Sequence, residues 1–428
     1  MAAARKCPDA HGDIDVIIAG AGMAGATLAL ALKQGGLNPL LIDPLPFEAR
    51  IAPEFDGRAS AIAYSAFRQW RTLGVAAALE PVAQRIEQIL VTDAASPGAA
   101  TRAALGVFGG AFLRFEAAEI GDASGGEPLG YMIENRQTRA ALAAAVTAAG
   151  IPVLAPARVA SVAFEPGRAT VTLEDGRTLS APLVVGAEGR NSVVRTAAKI
   201  GELAWSYKQA GVVATVKLER PHQGVAHEYF LTSGPFAILP LTGNRASLVW
   251  TEKEATGAAL KAAGEEMFHA HLARRFGEFL GRVERAGPTF VYPLSLSLAE
   301  NMTAPRAALL GDAAHGIHPI AGQGLNLGLK GAAALAQVLV DASRLGEDIG
   351  SEAVLERYAR WRRFDTVALA AATDLFTRLF ANDDPLLRLA RGAGMAVINR
   401  IGPARRFFMQ EAGGATGDLP RLLRGEAL

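Results

Sequence analysis

The apolar positions of this chain follow three different rhythms. Short, mostly apolar runs, Ile14–Ala19, Pro39–Ile42, Leu183–Ala187 and Arg306–Leu310, read as strands buried on both faces of a parallel sheet. Stretches of strong helix formers alternate with them: Ala26–Gln34, Ser65–Leu73 and Gln137–Ala149. Between Gly211 and Thr251 the rhythm becomes β-type. Val212–Leu218, Ala226–Leu231, Phe236–Leu239 and Ala246–Thr251 are separated by Gly, Pro and Asn signals. Val159–Phe164 and Ala169–Leu173 form a hairpin with the segment after Asp175-Gly176. Gly257–Phe279 reads as helix, Ala95–Gly110 as loop or weak strand, and the tail from Ser351 onward as almost wholly helical. This order predicts an α/β (α+β) fold with a Rossmann-like nucleotide-binding domain, an inserted mainly antiparallel β-sheet domain and a helical C-terminal tail. The expected divisions are 1–92, 130–205 and 288–350 for the first, 93–129 and 206–287 for the second, and 351–428 for the tail.

The first strand is followed by Gly20-Ala21-Gly22-Met23-Ala24-Gly25, then a helix, then a second strand that ends at Asp43. Strand, G-x-G-x-x-G, helix, strand and acid together are the dinucleotide fingerprint in its full context. Gly20 permits the tight turn, Gly22 the approach of a pyrophosphate, and Gly25 close helix–strand contact. Asp43 is placed to accept hydrogen bonds from ribose hydroxyls.

A second string, Gly311-Asp312-Ala313-Ala314-His315-Gly316-Ile317-His318-Pro319-Ile320-Ala321-Gly322-Gln323-Gly324-Leu325-Asn326-Leu327-Gly328, follows a strand and opens a long alanine-rich helix. A carboxylate at Asp312 can hold ribityl or ribose hydroxyls. The turn from Pro319 through Gly322, Gln323, Gly324, Leu325 and Asn326 lets backbone N–H groups reach a flat polar ligand. The helix starting near Gly324 aims its positive end there. That suits a ring that becomes anionic on reduction, as a flavin does. The two motifs build one FAD site from both ends of the chain. No second fingerprint is left for a resident nicotinamide, so NAD(P)H or another reductant is expected as a transient donor.

Composition narrows the partners. The 428 residues are 50% hydrophobic and 20% charged, long enough for two intimately connected domains. A net charge of +1 gives no general attraction to nucleic acid. The single cysteine, Cys7, excludes an intramolecular disulfide, and seven histidines with no convergent set suggest no metal site. No run approaches the ~20 apolar residues of a spanning helix, and no secretory leader is expected. The expected location is cytoplasmic, peripheral to the inner face of the membrane.

The chain resembles the class A flavoprotein aromatic hydroxylases, and more closely the ubiquinone-biosynthesis FAD-dependent hydroxylases of the UbiH/UbiF type. The resemblance rests on Gly20–Gly25, Asp56-Gly57-Arg58-Ala59-Ser60-Ala61-Ile62-Ala63, Glu134-Asn135-Arg136, and Gly186 to Arg195. It continues through Gly234-Pro235-Phe236-Ala237-Ile238-Leu239-Pro240-Leu241, Gly311–Gly328 and Tyr358-Ala359-Arg360-Trp361-Arg362-Arg363. It implies that Arg58 reaches the FAD pyrophosphate, that Asn135 contacts the adenosine side, and that Pro319 with Gly322–Asn326 frames the flavin ring. His318 and Pro319 are flavin-loop candidates; His315 and His318 read first as loop-locking, and no catalytic base is assigned. Three positions depart from the family pattern: Glu188 stands where Asp is usual in a motif that handles FAD and NAD(P)H, Gly331, preceded by Lys330, where an acid is usual, and Thr138 where leucine is preferred.

The implied reaction is hydroxylation of the aromatic ring of a polyprenylated phenol by dioxygen through a flavin C4a-hydroperoxide. Tyr229, Phe236, Ile238 and Pro240 of the inserted sheet are the expected substrate wall. Two readings stay open: a related FAD-dependent prenyl reductase, and a non-enzymatic flavoprotein subunit of a quinone-biosynthesis complex. A flavin halogenase is disfavoured because Trp70, Trp205, Trp250 and Trp361 form no W-x-W pair. The segment Pro385–Leu428 carries seven arginines against three acids, interleaved with Leu386, Leu389, Met395, Ile398, Phe407 and Phe408. That is the pattern of a basic interfacial helix at a membrane surface, or of a packed tail with a solvated arginine face. Contact with other quinone-biosynthesis proteins is a further expectation.

Overall fold

The apolar runs near the N-terminus do pair as parallel strands. In a computed structural model, residues 13–52, 56–93, 112–119, 126–231, 233–277, 279–317, 322–380, 394–395 and 398–428 are described. His318, Pro319, Cys7 and the stretch Ala95–Gly110 lie outside the described residues, as do Leu386 and Leu389.

A six-stranded sheet runs in the order 303–304, 307–309, 183–186, 16–19, 39–42, 153–154. Val16–Ala19 lies between Leu183–Gly186 and Pro39–Ile42, parallel to both, and every residue of these three strands is buried. Burial on both faces is why they carry no polar alternation. The helices Met23–Gln34 and Gln323–Arg344 pack against each other beside this sheet. The meander Val159–Glu165, Arg168–Leu173 and Thr178–Ala181 forms a separate three-stranded antiparallel sheet.

The β-type middle of the chain builds a much larger sheet. Its order is 315–316, 290–299, 202–218, 245–253, 234–241, 225–231, 88–93, 112–116, with 283–285 paired to 202–218. All of its pairings are antiparallel except that between Val225–Leu231 and Gln88–Asp93. The expected domain borders at 92 and 205 therefore fall inside continuous strands, because this sheet recruits chain from both sides of each. The expected helix over 257–279 is two helices, Glu254–Ala262 and Glu265–Phe276, separated by extended backbone at Ala263 and Gly264. These two helices cover one face of the large sheet. There Phe236, Ile238, Trp250 and Tyr229 join Leu260, Phe268 and Leu272 in a single apolar cluster.

Candidate active site

Two glycines of the fingerprint are fixed by contact. Gly20 sits at φ +105°, and a Cβ there would lie 2.4 Å from the Ala187 carbonyl oxygen. A Cβ on Gly25 would meet the Gly20 carbonyl oxygen at 2.0 Å. Gly22 is different, since nothing lies within 4 Å of its missing Cβ. The helix that Gly22 caps has no acidic residue in its first turn and no side-chain cap, so its leading N–H groups are open to an anion. An open cradle at a bare helix N-terminus fits a pyrophosphate.

Asp43 is fully buried and does more than the sequence suggests. It accepts the Ala21 N–H at 2.7 Å, tying the glycine loop to the second strand, and the Leu45 N–H at 2.9 Å. Arg50 donates to both of its oxygens, at 2.6 and 2.7 Å. A ribose contact at Asp43 would have to share the carboxylate with that guanidinium.

The far motif meets the near one. A Cβ on Gly311 (φ +60°) would be 3.5 Å from that of Ala24, and one on Gly328 only 3.3 Å from the Gly311 Cα. Asp312 faces Arg190 at 3.9 Å, with its side chain 54% exposed. Because the surrounding cleft desolvates it, its carboxyl is raised, while Arg190 and Arg58 pull it back down. Arg58 lies over the Tyr292 ring at 4.8 Å and is held by Asp56 through its Nε at 2.9 Å. Burial alone would raise Asp56, but hydrogen bonds and charge from Arg58, with Arg139, hold it well below the usual carboxylate range.

Asn135 serves this same cluster. Its amide donates to Asp56 at 3.2 Å and accepts the Ser60 hydroxyl at 2.6 Å, and its backbone N–H donates to the Arg58 carbonyl. In this arrangement it braces the Arg58 loop. Glu188 accepts the Val194 N–H at 3.0 Å, at the start of the short helix Val193–Ala197. Burial raises its carboxyl, opposed by those backbone donors, and its second oxygen is buried without a partner.

Gly322, in the left-handed region at φ +64°, caps the long helix, which has no acid in its first turn. Asn326 stitches this loop to the strand Ala59–Ala63. It accepts the Ala63 N–H and donates to the Ala61 carbonyl, each at 2.9 Å. Gly324 and Leu325 follow on the same turn, and Gln323 reaches a cavity. Of the family departures, Lys330 pairs with Asp365 at 2.6 Å, and a Cβ on Gly331 would press on Leu310 at 3.1 Å. Arg195 is a functional brace that the sequence did not single out by itself. It is buried and donates to the carbonyls of Ala313 and Arg190, linking the Glu188 motif to the flavin loop.

The cavity, of about 340 Å³, lies on the other face of the large sheet and is lined from Ala61 and Gln323 to Met395, Ile398 and Phe408. Its sheet wall is Ala226, Glu228 and Phe230 on one strand and Pro235, Ala237 and Leu239 on the next. The expected wall residues have the opposite parity. Tyr229, Phe236 and Ile238 point into the helix-covered core, and Pro240 alternates with the cavity-facing Leu239. Successive side chains on a strand face opposite ways, so a one-residue error of register reverses the whole assignment.

The fold is that of the flavin aromatic hydroxylases. Superposition on p-nitrophenol 4-monooxygenase PnpA from Pseudomonas putida gives a TM-score of 0.76 at 16% identity, covering 95% of this chain and 98% of that one. Klebsiella pneumoniae HpxO, solved with FAD and uric acid, gives 0.73 at 18% identity over 95% and 98%. A model of the FAD binding domain family matches residues 13–372. The fold and the family match define an FAD-binding protein, and its relatives make it an FAD-dependent monooxygenase. Ubiquinone hydroxylase UbiL of Rhodospirillum rubrum is 44% identical over 97% of this chain and 93% of its own length. The 3-demethoxyubiquinol 3-hydroxylase of Escherichia coli is 34% identical over 93% of this chain and 98% of its own. The chain belongs to the FAD-dependent hydroxylases of ubiquinone biosynthesis.

Proposed function

We propose that this chain hydroxylates the ring of a polyprenylated phenol, and the observation that carries the proposal is the cavity. It starts where Gly322–Asn326 would hold the flavin ring and ends among apolar side chains far along the sheet. A phenol ring at the Gln323 end and a prenyl tail toward Met395 and Ile398 match that polarity. In the overall reaction one oxygen atom enters the ring, the other leaves as water, and a reductant such as NAD(P)H supplies two electrons. FAD, when bound, supplies the reduced centre at which dioxygen is activated. The protein supplies position and dryness: the Gly22 cradle and Arg58 for the pyrophosphate, Asp312 for the ribityl or ribose hydroxyls, the bare helix start at Gly322 for the flavin ring, and an apolar wall that keeps water out. Incubation of the FAD-loaded protein with a 2-prenylphenol and NAD(P)H, or chemically reduced flavin, under ¹⁸O₂ tests this. A product carrying one labelled hydroxyl is expected, and reductant oxidation without any hydroxylated product would overturn it. Tail reduction without oxygen uptake would favour a prenyl reductase instead.

The same cavity supports a membrane-surface reading. Among the described residues no helix is long and apolar enough to cross a bilayer. Phe408 lines the cavity and is also 39% exposed, and it stands beside the exposed Phe407 and Ile401 and the exposed Arg400 and Arg406. An apolar, cationic surface beside Phe408 would suit the entry of a lipid-dissolved phenol.

A further inference from the structure

One register row of the large sheet runs Leu113, Val91, Glu228, Ala237, Val249, and all five residues line the cavity. A carboxylic acid thus sits at the centre of an otherwise apolar row. Among the described residues its carboxyl has no hydrogen-bond or ion-pair partner. The groups around it are of little help. His227 turns to the opposite face, against Tyr229 and Phe279. Asp93 lies two rows on, opposite Phe230. The helical wall offers Met395, Ile398 and Phe408, and the remaining polar residues of the lining are Thr251, Gln323 and His227, the last with its ring turned to the other face. Leaving an acid unpaired in such a place is costly, which makes sense if its partner arrives with the substrate.

We propose that Glu228 binds the phenolic hydroxyl of the substrate and takes up its proton as the ring is hydroxylated. This rests on the hydroxylase reading above. A ring attacks an electrophilic oxygen faster as a phenolate than as a phenol. As the O–H bond breaks, its electron pair feeds the ring while the new C–O bond forms, and Glu228 holds the proton. The hydrogen on the attacked carbon then moves as a proton to the former phenolic oxygen, restoring aromaticity. The proton from Glu228 leaves with the second oxygen atom as water. Burial pushes the Glu228 carboxyl up to about 8, far closer to a phenol at about 10 than an ordinary glutamate at about 4.3. That closeness is what a general base for this proton needs.

The test uses FAD-loaded protein whose flavin is reduced chemically, then mixed with oxygenated buffer and a 2-prenylphenol, so that no assumption about the electron donor enters. For the parent, the single-turnover hydroxylation rate should climb with pH and level off above about pH 8. Glu228→Gln should hydroxylate at least about 100-fold more slowly and lose that pH dependence, while FAD content and phenol affinity change only a few-fold. Glu228→Asp should recover part of both rate and pH profile. A Glu228→Gln protein with the parental rate and profile overturns the assignment and leaves the hydroxylase reading intact. Should the parent itself give no hydroxylated product from any prenylphenol, the activity is wrong and this role falls with it.

Discussion

Glu228 also bears on stability, and the direction follows from its shift. An unfolded glutamate ionises near 4.5, whereas in the fold burial holds the proton up to about 8. The stabilising contribution of this group is therefore fully present below about pH 4.5 and is eroded as the pH climbs toward 8. At pH 8 the parent should be less stable than Glu228→Gln by on the order of a few kcal/mol, and the gap should close at pH 5. Thermal melts of the two proteins at both pH values check this; curves that stay parallel would show that the carboxyl is not desolvated. Asp312 is also raised by desolvation, but its side chain is half exposed and faces the arginines Arg190 and Arg58. Asp312→Ala removes hydroxyl contacts to a charged acceptor, worth about 1.5–3 kcal/mol. FAD affinity, followed by fluorescence titration, should fall by about one to two orders of magnitude, and unchanged affinity would reject the role.

At the scale of elements, the two motifs act by where they leave helix ends bare. The leading turns of Met23–Gln34 and Gln323–Arg344 carry no acid and no side-chain cap, and the contact between Ala24 and Gly311 brings both motifs together. The glycines in the first of these ends separate folding from binding. Gly22→Ala has room for its methyl, so the protein should fold normally and lose FAD. Gly25→Ala drives a methyl onto the Gly20 carbonyl and should destabilise the apoprotein itself. Melting temperatures measured on both apoproteins distinguish the two, and equal destabilisation would contradict the assigned roles. Asn326 carries a similar lesson. It reads as a flavin-loop residue, yet its side chain is spent on Ala61 and Ala63, holding the loop against the strand that begins the cavity.

The whole molecule joins a parallel nucleotide sheet to a large, mostly antiparallel one, and the cavity lies along one face of the latter. The helix Gly402–Ala412 contributes Phe408 and Ala412 to its lining. Of the tail arginines, Arg405 is tied to Glu119, Arg421 to Asp341 and Arg424 to Glu426, so these three are already engaged. Arg400 and Arg406 are exposed beside Ile401, Phe407 and Phe408. Membrane contact should therefore depend on the exposed pair. Vesicles containing anionic lipid should co-sediment the protein, less so as salt rises, with each well-placed arginine worth about 1 kcal/mol. Arg400→Glu combined with Arg406→Glu should abolish most of that binding; sedimentation equal to the parent at low salt would place the contact elsewhere.

The nucleotide half was legible in the sequence because its signals are local. Gly20, Gly22 and Gly25 are demanded by a turn, a ligand and a helix contact within one short segment, and apolar runs such as Pro39–Ile42 have no exposed face to confuse the pattern. Gln84–Ile86, Gln88–Asp93 and Phe112–Glu116 were not legible as strands, since their polar residues follow no clear alternation. The substrate face was hidden for a different reason. Gly234–Leu241 is apolar at nearly every position, because one of its faces packs on helices and the other lines the cavity. With no polar face, period two carries no information about which side is which. Only the pairing of Glu228 with Val91 and Ala237 turned that acid toward the cavity and Tyr229, Phe236 and Ile238 away from it. Chain order pointed to the cofactor; strand register, a property of distant segments meeting, decided which side chains line the cavity.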